Sequence, residues 1–180
     1  MEKQSGLLLP AEFIESPNQD DRPDTSDIDL IVIHSISLPP QQFHGEAVKA
    51  FFQNQLDPDA HPYFTEIAHL KVSAHLFIRR EGQIIQFVSF HKRAWHAGKS
   101  EFAGRSGCND FSIGIELEGA DDIPYTLIQY TTLKDICILL RQSYARITND
   151  RIVGHSDIAS GRKTDPGSAF EWEFFRGLFI

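Results

Sequence analysis

The stretch Asn109-Asp110-Phe111-Ser112-Ile113-Gly114-Ile115-Glu116-Leu117-Glu118-Gly119 decides how this chain folds. Phe111, Ile113, Ile115 and Leu117 fall on one side, and Ser112, Gly114, Glu116 and Glu118 on the other. Successive strand side chains point to opposite faces, so a period of two predicts a β-strand with one apolar face. Further strands read outward from it. Ile28 to His34 is apolar and β-branched, which predicts a buried strand. His75–Arg80 and Ile84–Ser89 form two more, joined by a tight Glu81-Gly82-Gln83 connection. Ile152-Val153 begins a short strand that ends at Gly154-His155.

Helical spacing lies between these runs. Glu46–Leu56 carries Ala47, Val48, Ala50, Phe51 and Phe52. Thr126 caps a helix running to about Ala145, with Leu133, Ile136, Cys137, Leu140 and Tyr144 as its apolar stripe. Phe170–Phe179 is a short aromatic terminal helix. This mixed order predicts the α/β class, with a single central mixed β-sheet flanked by helices. The 180 residues suit one domain over 1–180, with an irregular lead-in to about residue 27. His91–Asp110 and Ser156–Ser168 read as loops, and a loop as long as the first is usually functional.

The net charge of −8 argues against nucleic acid as a partner, because phosphate binding needs excess Lys and Arg. The charge is uneven: Lys71 to Arg105 holds seven cations and two Glu, against a net of −13 elsewhere. That segment is either a solvated edge or an attractor for a small anion. Two cysteines make no disulfide framework. Cys137 reads as core, and Cys108 as a free loop thiol. Neither a secretory leader nor a membrane span is legible, so the cytoplasm is the expected location.

Three positions raise a metal reading above that of an isolated histidine. His34 ends a hydrophobic strand, where α/β sheets present their sites. It could equally close the core through a backbone hydrogen bond. His155 and Asp165 lie ten residues apart in a Gly-rich polar loop and can fold onto one centre. The same loop also fits an ordinary surface turn. Imidazole nitrogen and carboxylate oxygen are both normal Zn2+ ligands. Glu116, on the polar side of its strand, is either solvent-facing or a paired, functional carboxylate. Together these pieces describe a catalytic zinc site at one edge of the sheet. Three protein ligands leave one position for water, and a carboxylate stands by to move its proton.

Six ordered motifs then resemble a known family. They are Ile31-Val32-Ile33-His34, Ser37-Leu38-Pro39-Pro40, Val72-Ser73-Ala74-His75, Arg93-Ala94-Trp95-His96-Ala97-Gly98, Asn109–Gly119, and the loop 155–167. From about Leu7 to Phe179 the chain is similar to the type 2 N-acetylmuramoyl-L-alanine amidases, which are related to peptidoglycan recognition proteins. Within that family it most resembles the AmpD-type 1,6-anhydro-N-acetylmuramyl-L-alanine amidases. The resemblance implies that His34, His155 and Asp165 hold zinc, that Glu116 handles the water proton, and that Lys163 stabilises the oxyanion. It implies a monomer acting on a small muropeptide from recycled cell wall, with no nucleic-acid or membrane partner. In some bacteria such molecules induce β-lactamase.

Lys71, Arg162 and Arg105 are the candidates for the carboxylates of the stem peptide. Trp95 offers a face for the sugar, and Ser35 completes the substrate contacts. His75 and His96 match family histidines that stand behind the metal ligands. Relatives often carry Asn at Ser35 and Arg at Lys71, and they can also carry Arg at Gly107 beside the loop cysteine. Lys lacks the bidentate fork of Arg. Two alternatives share the fold: a broader amidase on non-anhydro muropeptides or murein, and a non-catalytic recognition module.

Overall fold

The computed structural model describes residue 2 and residues 4–179. Met1, Lys3 and Ile180, included in the expected 1–180 domain, lie outside the described residues. In chain order the strands and helices are β1 (Glu12–Phe13), β2 (Gln19–Asp21), β3 (Leu30–Ile36), α1 (Ala47–Phe52), α2 (Pro62–Ile67), β4 (Leu76–Ile78) and β5 (Ile84–Gln86). There follow β6 (Lys92–Ala94), β7 (Glu101–Phe102), β8 (Arg105–Ser106), β9 (Ser112–Glu118), α3 (Leu127–Ser143), β10 (Ile152–Gly154), α4 (His155–Ile158) and α5 (Trp172–Gly177).

Six strands form the central sheet in the order β1-β5-β4-β9-β3-β10. Only β4 and β5 pair antiparallel; the other neighbours run parallel. The sheet is therefore mixed, and helices cover it, as the alternation of motifs predicts. The period of two in β9 sorts its residues. Ile113, Ile115 and Leu117 join Ile31, Ile33, Leu76 and Ile78 in one buried cluster with Leu133, Ile136, Cys137 and Leu140 of α3. Thr126 caps α3 reciprocally with Gln129, which supplies about 1 kcal/mol in typical helices.

The opposite face carries two separate apolar clusters. One gathers Phe51 and Phe52 of α1, Phe64 of α2 and Phe77 of β4. The other gathers Leu30, Val32, Phe111, Val153 and Ile158. Between them the polar members of β3 and β9 come together. The parallel register sets His34 opposite Glu116.

Several boundaries differ from the sequence reading. β3 does not end at His34 but continues to Ile36, because β9 pairs with it as far as Glu118. The lead-in is not wholly irregular. β1 extends the sheet beside β5, and β2 pairs with β6, where Arg93 reaches Asp20 through two hydrogen bonds of 2.6 Å. The region His91–Asp110 holds β6 and the β7/β8 hairpin as well as loop. The second loop opens with a single helical turn, α4, that starts on His155 itself.

Candidate active site and metal centre

His34 projects from β3 near the carboxyl ends of the parallel strands, and His155 follows directly on β10. Ligand sites form at such ends in α/β sheets. Asp165 reaches the same point because its loop folds back. Its carbonyl accepts from the Ser156 N–H at 3.0 Å, and the Tyr125 hydroxyl donates to the Pro166 carbonyl at 2.7 Å. Gly167 lets the loop lie against Asp121. Its φ is +83°, and a Cβ there would sit 2.1 Å from the Asp121 Cα.

Three atoms then converge. His34 Nδ1 lies 3.0 Å from His155 Nδ1 and 3.1 Å from Asp165 Oδ2, and His155 Nδ1 lies 3.0 Å from the same oxygen. The outer nitrogen of His155, Nε2, faces the Ala97 carbonyl at 3.3 Å. A carbonyl only accepts, so Nε2 carries a proton, and in the neutral ring Nδ1 presents a lone pair. A metal cation placed between that lone pair and the carboxylate oxygen 3.0 Å away would satisfy both. Donors of a tetrahedral zinc with bonds of about 2.0–2.1 Å stand roughly 3.3 Å apart. The observed triangle is close to that size, so these residues fit zinc.

Glu116 lies beside the triangle on the neighbouring strand. Its Oε2 is buried and has no hydrogen-bond partner. Burial pushes its carboxyl well above the usual carboxylate range; the Asp165 charge adds to this and the Lys163 charge opposes it. Burial likewise pushes the His34 imidazole down to about 4. A cleft of about 560 Å³ opens over these groups. His34, Glu116, His155, Lys163 and Asp165 line its polar floor, and Leu38, Phe51, Phe52 and Tyr63 an aromatic and apolar wall.

The remaining sequence-predicted contacts divide. Ser35 lines the cleft. Lys71 is exposed at its rim, between the lining residues Leu70 and Val72. Trp95, Arg105 and Arg162 do not line it. Trp95 is half-buried, and its backbone pairs with Ser73. Arg105 is tied to Asp27 at 2.5 Å and Asp29 at 3.1 Å and lies over the Phe111 ring. Arg162 donates to the carbonyls of Ala97 and Lys99, both at 2.7 Å. In the basic segment, Arg79, Lys92, Arg93 and Arg105 all pair with carboxylates of the same chain.

Tyr63 is a lining residue that the sequence reading missed. The only available signal was an aromatic hydroxyl behind a helix-starting proline. His75 is placed behind the site, where its Nδ1 accepts from the Gly114 N–H at 3.0 Å. Among the described residues no helix is long and apolar enough to cross a membrane.

Comparison with known proteins agrees with this architecture. A sequence profile of the family described as N-acetylmuramoyl-L-alanine amidase matches residues 24–168. The 1,6-anhydro-N-acetylmuramyl-L-alanine amidase AmpD of Haemophilus influenzae is 55% identical over 170 residues, spanning 94% of this chain and 92% of that protein. A crystal structure of an AmpD derivative superposes with a TM-score of 0.93 at 52% identity, covering 97% of each chain. AmpDh3 of Pseudomonas aeruginosa, solved in complex with anhydromuramic pentapeptide, superposes with a TM-score of 0.67 at 27% identity, over 97% of this chain and 66% of that one. With a profile match over most of its length and relatives this similar, the chain belongs to the N-acetylmuramoyl-L-alanine amidase family and is an amidase.

Proposed function

We propose that this protein is a zinc-dependent hydrolase of muropeptides in cell-wall recycling. It would cut the amide between the lactyl group of 1,6-anhydro-N-acetylmuramic acid and L-alanine. The observation that carries the reading is the triangle of buried His34 and His155 with half-buried Asp165, beside the unpartnered Glu116 carboxylate. The similarity to AmpD of Haemophilus influenzae supports the choice of substrate.

Zinc held by these three residues would polarise the scissile carbonyl and bring the pKa of a bound water toward about 7. The chain's own groups do the rest. Glu116, with its raised pKa, takes the proton of the attacking water and delivers it to the leaving L-alanine nitrogen. Lys163, on the cleft floor, stabilises the negative oxygen of the tetrahedral centre. The wall of Leu38, Phe51, Phe52 and Tyr63 excludes water and packs the apolar parts of the substrate. Ser35 contacts the substrate from the cleft, and Lys71 at the rim meets a stem-peptide carboxylate.

Metal analysis of the purified protein, with a cleavage assay on anhydro-muropeptide, tests this. The expected result is one zinc per chain and release of the free stem peptide. A protein that binds no zinc and releases no peptide overturns it. Equal rates on anhydro and non-anhydro sugars would replace strict anhydro specificity with the broader activity. The same reading has the protein acting as a monomer in the cytoplasm; light scattering and cell fractionation check these points.

A further inference from the structure

The two metal-facing imidazoles share one support. His34 Nε2 lies 2.9 Å from His96 Nδ1, and His155 Nε2 lies 3.3 Å from the Ala97 carbonyl. The next residue in the chain thus backs the second histidine. We propose that the dipeptide His96-Ala97 fixes the proton positions of both histidines, and that Gly114 and Asn109 hold this dipeptide in place. The inference rests on the zinc reading above and adds positioning residues to it.

The direction of each hydrogen bond follows from its far end. The Ser112 hydroxyl lies 2.5 Å from the Cys108 carbonyl, so its one proton goes there. Its oxygen can then only accept from His96 Nε2, 3.0 Å away. His96 is buried, and the neutral ring carries its single proton on this nitrogen. Its Nδ1 is then bare and accepts from His34 Nε2–H. That leaves His34 Nδ1 bare toward the triangle. The chain Cys108, Ser112, His96, His34 therefore admits one tautomer throughout. On the other side the Ala97 carbonyl reaches the same result for His155. It uses one lone pair for His155 and the other for Arg162. Outer hydrogen bonds of this kind orient metal-binding histidines.

Two further residues locate the dipeptide. Asn109 Oδ1 accepts from the N–H of His96 at 3.1 Å and of Ala97 at 2.8 Å. Gly114 lies on β9 directly under the His96 ring. A Cβ there would stand 2.4 Å from His96 Cγ and 2.6 Å from its Nδ1. Any side chain at 114 must displace the ring, so the bare strand position is what lets the ring reach His34.

The test is zinc affinity by chelator competition in the full chain, with H96A, H96N, N109A and G114A against the parent protein. Outer-shell substitutions typically cost about 10–100-fold in metal affinity. H96A is expected in that range. G114A removes no polar group and is expected to lose about 10-fold or more. H96N, whose Oδ1 can accept from His34 Nε2–H, is expected to recover most of the H96A loss. Two-bond nitrogen spectra of the zinc-loaded parent are expected to show protons on Nε2 of both His34 and His155. If H96A fails to fold by circular dichroism, G114A and N109A carry the test. Affinities within about twofold of the parent in H96A and G114A, or a proton on Nδ1 of either histidine, overturn the proposal while leaving the zinc enzyme intact. A parent protein that takes up no zinc overturns both.

Discussion

Among the described residues, two clusters bring three metal-capable side chains within reach of one another: His34, His155 and Asp165, and His44, Glu81 and Glu118. They differ in what their atoms already touch. In the first, two imidazole nitrogens and a carboxylate oxygen face each other behind buried rings, with the outer nitrogens engaged elsewhere. In the second, Glu118 spends both oxygens on backbone N–H groups, those of His44 at 2.6 Å and Arg80 at 3.0 Å. His44 and Glu81 form an ion pair with both side chains about 60% exposed. Residue type alone does not separate the clusters. Unanswered lone pairs do.

Substitutions sharpen the contrast, beginning with the first cluster. Asp165→Ala is expected to reduce zinc content to background and turnover by roughly three or more orders of magnitude, because no activated water remains. Metal analysis and the amide-cleavage assay report both. Glu116→Ala should keep zinc while turnover falls about 10²–10⁴-fold; unchanged turnover would remove the carboxylate from proton transfer. Stripping zinc with a chelator should lower the melting temperature of the parent. Zinc at a hundred times its dissociation constant stabilises by about 2.7 kcal/mol. The Asp165→Ala protein should show no such drop.

The second cluster responds differently. Glu118→Ala leaves two backbone donors without their partner, a loss of about 1–3 kcal/mol in denaturant unfolding, with zinc affinity unchanged. Glu81→Ala should be the mildest, because exposed pairs contribute about 0–1 kcal/mol. A zinc affinity that moved with either substitution would erase the distinction between the clusters.

Legibility in the sequence followed the range of the forces involved. The period of two in β9, the Thr126 cap and the stripe of α3 are local patterns and appear where the residues predict them, except that Phe111 precedes the strand and packs on the opposite face with Leu30 and Val32. His34, His155 and Asp165 became candidates from a strand end and a polar loop, the family resemblance joined them into one set, and the structure gathers them. Glu118 shows the limit. Two along from Glu116, it falls on the polar side of the strand in sequence, yet it is 2% exposed because two distant backbone segments cap it. The partners of the cations were illegible for the same reason. Nothing near Arg105 in the chain announces Asp27 and Asp29, and nothing near Arg162 announces the carbonyls it bridges. Such pairing is long-range, and charge counting sees only the sum.

The parallel register that sets His34 opposite Glu116 has a consequence for how such a protein can change. Neighbouring strands stand about 4.8 Å apart. The spacing between a ligand and the neighbouring carboxylate is thus a property of the peptide ladder, inherited from backbone hydrogen bonds. A slip by one residue would send one of the two side chains through the sheet to the helix α3 side, so intermediate spacings are not accessible. The cleft wall comes instead from α1, α2 and connecting segments. Insertions and exchanges there can reshape which sugar or peptide is accepted while the reacting groups keep their pitch.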